Sequence, residues 1–194
     1  MAKHIDFEPS ASNSRLPQVY EGQRIGELSI GADMDEVYSV MKNSGSPSTY
    51  EKEHEIFTNY GYIPNEHCQF VLGFDEVWQY SEHNAPDYPV FKIYFKDGLA
   101  RYIILSSYGT DAYDYDRCKK IKTQRGLAFG DSIEKMEQLY GDKYLKYNFG
   151  SYDGDFIYPE FGISFVFEHN EIRNIYLFPA NNLEVIEKLY AAYK

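Results

Sequence analysis

Cysteine is nearly absent from this 194-residue chain, which carries only Cys68 and Cys118. No C-x-x-C pair occurs, so the sequence offers neither a zinc ribbon nor a dithiol redox motif; the two thiols are either free or joined in a single bridge. Basic residues are also few, 19 Lys and Arg against 30 Asp and Glu, for a formal charge of −11. Nucleic acid and anionic membranes both need a clustered basic surface, so that balance argues against them as partners and favours a basic one. Long apolar runs are missing as well. The apolar stretches are strand-sized, far below the roughly 20 residues of a membrane helix. The first nine residues, Met1 to Pro9, hold no apolar core of a signal peptide. The expected location is cytoplasmic if the chain is full-length and extracytoplasmic if a leader has been removed. There is no phosphate-binding loop, dinucleotide glycine motif or G-x-S-x-G elbow. No catalytic residue and no cofactor are therefore expected.

What the chain does contain is a pattern stated twice. Leu28-Ser-Ile30-Gly31 leads into Met34, Val37, Val40 and Met41 at helical spacing. Leu127-Ala-Phe129-Gly130 leads into Ile133, Met136, Leu139 and Tyr140, every position 99 residues on. A second pair follows. The alternating run Phe91–Phe95, the turn Lys96-Asp97-Gly98 and the return Leu99–Leu105 reappear 72 residues later as Ile163–Phe167, Glu168-His-Asn170 and Glu171–Leu177. Apolar residues at 3.6-residue spacing predict helices, and strict alternation about an Asp-Gly turn predicts a hairpin. The expected fold is α+β: two sequential helix-plus-antiparallel-hairpin repeats of three strands each, with a closing amphipathic helix over Asn182–Tyr190. Asp33 followed by Glu36 has capping-box spacing. The expected organisation is an irregular lead (1–23), repeat one (24–109), a linking helix (110–123), and repeat two with the C-terminal helix (124–194). A lone hairpin is marginal in water, so each helix must cover one sheet face and bury Ile93, Phe95 and Ile103, or Phe165, Phe167 and Ile175. The other face is then solvated, covered by the sister repeat, or used for binding.

Repeat one carries an insertion, about residues 48–76, with no counterpart in repeat two. Loops of that length usually serve function or hold structure of their own. It is aromatic, in a chain already rich in tyrosine (20 residues) and phenylalanine (13 residues). Tyrosine suits half-buried strands, and it equally suits contact surfaces, where it buries a large area at low entropy cost. Tyr50, Phe57, Tyr60 and Tyr62, with Trp78, Tyr80 and Tyr88 nearby, lack core periodicity and form the candidate protein-contact surface. His54-Glu55, Glu66-His67-Cys68 and Glu82-His83 lie in the same region, but without an i, i+4 histidine pair they do not make a metal motif. Asp111, Asp114 and Asp116 fail as a calcium loop, because its sixth and twelfth positions are Asp116 and Lys122.

The run Ile-x-Ile-Gly, a short helix, an aromatic strand and then Phe-x-Phe-x-Asp-Gly resembles the β-lactamase-inhibitor-protein-like fold, which the small outer-membrane lipoproteins of the barrel-assembly machinery share. The resemblance rests on Ile30-Gly31, Trp78-Gln-Tyr80 and Phe91–Leu105, and again on Phe129-Gly130, Phe156-Ile-Tyr158 and Ile163–Leu177. It implies helices packed on antiparallel strands and a role through protein–protein contact. There is no lipid-attachment cysteine, so membrane anchoring does not carry over, and neither does β-lactamase as a target. The expected function is a non-catalytic protein-binding module (an inhibitor, an immunity-like neutraliser or an assembly factor) whose partner is a protein with a basic surface. The alternative is a metal- or small-ligand-binding protein, or an enzyme, with a pocket at the insertion.

Overall fold

The computed structural model describes residues 18–41, 48–50, 73–81, 89–107, 119–148 and 153–193, with backbone alone at 48–50, 79–81, 89–90 and 148. The architecture is α+β, with two sheets and three described helices. Helix α1 spans Met34–Met41, α2 spans Ile133–Tyr140 and α3 spans Leu183–Ala192. Among the described residues, no helix is long and apolar enough to cross a membrane.

The helices begin where the side chains dictate. Asp33 and Glu36 form a reciprocal capping box: Glu36 N–H donates to Asp33 Oδ1 (2.8 Å) and Asp33 N–H donates to Glu36 Oε2 (2.9 Å). Ser132 caps α2 through Lys135 N–H, and Asn182 caps α3 through Val185 N–H. Helix α2 stops at Gly141, whose φ of +86° continues no right-handed helix. Val37 and Met41 of α1 and Met136 and Tyr140 of α2 are buried. Val40, expected on the inner face of α1, is instead exposed.

The large sheet has eight strands in the order β4-β5-β6-β7-β12-β11-β10-β9. On one side of its centre are β4 (Ser48–Tyr50), β5 (Glu76–Ser81), β6 (Pro89–Lys96) and β7 (Leu99–Ser106). On the other are β9 (Leu145–Asn148), β10 (Gly154–Tyr158), β11 (Ile163–Glu168) and β12 (Glu171–Leu177). Each half has four strands and not the expected three, because β4, at the start of the expected insertion, and β9 add edge strands to β5 and β10. The halves join at the antiparallel pair β7·β12, where Ile103 faces Leu177 and Leu105 faces Ile175.

The two hairpins share local detail. Each turns through two residues of positive φ, Asp97-Gly98 in one and His169-Asn170 in the other, as a type I′ turn requires. The register shifts after Tyr94 in one and after Val166 in the other, leaving Arg101 and Arg173 as the extra, bulged residues. Gly31 N–H donates to Ala100 O (2.7 Å) and Ala100 N–H to Ala32 O (2.8 Å). Gly130 N–H donates to Ile172 O (3.1 Å) and Ile172 N–H to Asp131 O (3.1 Å).

The small sheet runs β3-β2-β1-β8, from Leu28–Ser29, Arg24–Ile25, Gln18–Tyr20 and Lys122–Thr123. It departs from the sequence expectation in two places. The irregular lead expected through residue 23 ends in strand β1. The described end of the expected linking helix, residues 119–123, is a turn followed by strand β8, and the rest of that segment lies outside the described residues. Strands of two or three residues carry too little alternation to be read from sequence; β1 and β8 exist because they pair in parallel across 104 positions, Gln18 with Lys122.

The core lies in two layers. On one face, Ile93, Phe95, Ile103, Phe165, Phe167 and Ile175 pack in a single cluster with α1, α2 and the small sheet's Val19, Ile25 and Leu28. Each such side chain contributes roughly 1.5–3 kcal/mol. The opposite face buries Val77, Tyr94, Tyr102, Ile104, Ile157, Val166, Tyr176 and Phe178 beneath Leu189 and Val185 of α3. The cover on that face comes from the closing helix and not, as one expectation had it, from the sister repeat.

Candidate functional site

Two places bring polar groups together. The first is the end of the large sheet at the β6–β7 turn. The bonds of Gly31 and Ala32 to Ala100, continued by a bridge from Asp33 to Leu99, dock the start of α1 beside this turn. Asp97 N–H donates to Asp75 Oδ2 (2.7 Å). The exposed carboxylates of Asp33, Asp35, Glu36, Asp75 and Asp97 therefore gather at one end of the molecule. Trp78 lies in β5, three residues beyond Asp75, with its Nε1–H donating to Glu76 Oε1 (2.6 Å) and its ring 4.9 Å from that of Phe95. The matching end of the β11–β12 hairpin is also acidic, with Asp131, Glu134, Asp153, Glu168 and Glu171, but holds ion pairs. Lys135 pairs with Asp131 (2.8 Å), Ser132 holds the cap position, and His169 stands in the turn where the first hairpin has Asp97. Hydrogen bonds from Ser132 first, and also from Asn170, hold the Glu134 carboxyl below its ordinary range.

The second place is a row of cross-strand partners beneath the α3 side of the sheet. Asp155 of β10 faces Val166 of β11, which faces Asn174 of β12, which faces Ser106 of β7. Asp155 is fully buried; Ser164 Oγ–H donates to its Oδ1. Its Oδ2, and the Oδ1 of the buried Asn174, find no hydrogen-bond partner among the described residues. Desolvation raises the Asp155 carboxyl to about 7, against a smaller downward pull from Ser164.

Of the aromatic contact residues expected from sequence, the structure describes one side chain. Trp78 is half-buried and packs on the core, so it borders the acidic end as an anchored ring. Tyr50 and Tyr80 are placed by backbone, in β4 and in β5 opposite Phe91. Phe57, Tyr60, Tyr62 and Tyr88 lie outside the described residues, as do His54, His67, Cys68, His83 and Cys118. Among the described residues, no group of three or more His, Cys, Asp or Glu is placed to hold a metal. Tyr94, Tyr102, Tyr158 and Tyr176 are all fully buried, so for these the strand-filling reading of tyrosine applies.

Sequence reasoning missed Asp155, Ser164 and Asn174. In an alternating strand a polar residue between apolar ones reads as solvent-facing. The cue that both sheet faces are covered is tertiary. Comparison with known protein families, with curated proteins and with solved structures finds no match for this chain.

Proposed function

We propose that this chain is a non-catalytic protein-binding module, built by tandem duplication of a helix-plus-hairpin unit, whose acidic end meets a basic protein surface. Duplication is supported by details that the alternation of apolar residues does not require. These are the paired glycine-to-strand hydrogen bonds, the two turns of positive φ and the two bulges that each place an arginine. The β-lactamase-inhibitor-protein-like resemblance belongs to the same reading, and it favours an inhibitor, an immunity-like neutraliser or an assembly factor.

The observation that carries the binding reading is the asymmetry between the two hairpin ends. At the β6–β7 turn, Asp33, Asp35, Glu36, Asp75 and Asp97 make no ion pair among the described residues. At the other end Lys135 pairs with Asp131 (2.8 Å) and Arg173 with Glu171 (3.0 Å). An unneutralised acidic rim beside a partly buried tryptophan suits a partner in two ways: charge steers the encounter and the ring holds the complex.

The test is capture of binding partners by the full chain with Asp35→Lys and Asp97→Asn. Asp35 is exposed in the first turn of α1, and asparagine tolerates the positive φ at position 97. The folded state persists, while partner recovery at low salt falls at least tenfold and wild-type binding weakens steeply with added salt. Equal recovery by the variant would remove the acidic end from the binding surface.

A further inference from the structure

The two hairpins carry comparable rows of side chains on the α3 side of the sheet, each just before its bulge. In the first hairpin the row is Val77, Tyr94, Tyr102. In the second it is Asp155, Val166, Asn174. All six residues are buried. The first row shows that apolar and aromatic side chains fill this place in the scaffold, so folding does not call for a carboxylate there. A buried carboxylate without a full set of partners costs several kcal/mol. Its presence needs another explanation.

The geometry specifies what would satisfy it. Asn174 Oδ1 is an acceptor, and so is Asp155 Oδ2 once the carboxyl is ionised; both are orphaned among the described residues. They stand on strands two apart, flanking Val166, and strand spacing puts their backbones about 9.6 Å from each other. No hydrogen bond joins the two side chains across that span. One small species with donors pointing both ways bridges them. Asp155 Oδ1 is already held by Ser164, which fixes the carboxylate with Oδ2 left over.

We propose that Asp155, Ser164 and Asn174 form an internal site for a small cationic hydrogen-bond donor, an ammonium ion or a short primary amine. The cation replaces the carboxyl proton: Asp155 releases H⁺ to solvent and its carboxylate pairs with the ammonium group, so charge balances inside the sheet. Access is by way of α3. That ten-residue helix has one fully buried side chain, Leu189. It borders the site through Tyr193, whose ring stands edge-on to Tyr147, the cross-strand neighbour of Asp155. The inference is independent of the acidic end at the β6–β7 turn.

The experiment is thermal unfolding of the full chain in ammonium chloride or methylammonium chloride, against tetramethylammonium chloride at equal ionic strength. The last cation has charge but no donor. Wild type is expected to gain about 3–5 °C in ammonium at ten times its dissociation constant. Asp155→Asn and Asn174→Leu each lose that gain, so that the midpoint of each variant is the same in all three salts. If Asp155→Asn fails to fold, Asn174→Leu alone decides. Two outcomes overturn the proposal: a wild-type midpoint equal in all three salts, which assigns the niche to water, or a full ammonium gain in a folded variant.

Discussion

At the scale of single residues, Asp155 makes the sharpest statement about stability. Its carboxyl is raised from 3.8 to about 7, with burial as the main cause. The unfolded chain gives up this proton near pH 4, while the folded chain keeps it. The contribution is therefore fully present below pH 4 and is lost as pH rises through about 7, by at most about 4 kcal/mol. Asp155→Asn should flatten the pH dependence of unfolding in that window relative to wild type, as read by denaturant midpoints at pH 5 and pH 8 in sodium buffers. Parallel profiles for the two proteins would mean that Asp155 does not titrate there.

At the scale of elements, local chemistry starts each helix and close packing holds the turns. Asp33→Ala removes one half of the α1 capping box and should cost about 1 kcal/mol, read as a lower urea midpoint at unchanged slope. Gly162, in the β10–β11 turn, has a φ of +65°, and a Cβ there would come within 2.6 Å of the Ala180 backbone nitrogen. Gly162→Ala combines backbone strain with a clash against the chain leading to α3. It should cost at least about 2 kcal/mol and lower the thermal midpoint by 4 °C or more. The same substitution at Gly141 meets open space, so its cost is backbone strain alone and should be smaller.

At the scale of the whole molecule, the two hairpins are not independent. Side chains from both, from α1 and α2 and from the small sheet share one cluster, and β7 pairs directly with β12. Unfolding should be a single transition. The chain's only tryptophan is Trp78, whose ring packs on Phe95. Its fluorescence reports the first hairpin, while far-ultraviolet circular dichroism reports the whole. The two curves should coincide in denaturant. A fluorescence transition that precedes the dichroism would show that the halves open separately.

Some of this was legible in the residues alone. Periodicity of 3.6 over Met34–Met41 and Ile133–Tyr140, alternation over Phe91–Leu105 and Ile163–Leu177, and the spacing of Asp33 and Glu36 specify helices, hairpins and a cap, because each depends on neighbours a few positions apart. Phe95 and Phe167 were expected in the core and lie there. Other features depended on partners far away in sequence. Strands β1 and β8 form only because they meet each other, and the pairing of β7 with β12 fuses two local units into one sheet. The candidate site divides the same way. Acidity and aromatic content were visible in composition, yet the gathering of Asp33, Asp75 and Asp97 at one turn follows from how α1 docks. Alternation alone leaves Asp155 and Asn174 facing outward, and only the second covered face of the sheet places them inside, since burial is a property of what lies above a residue and not of the residues beside it.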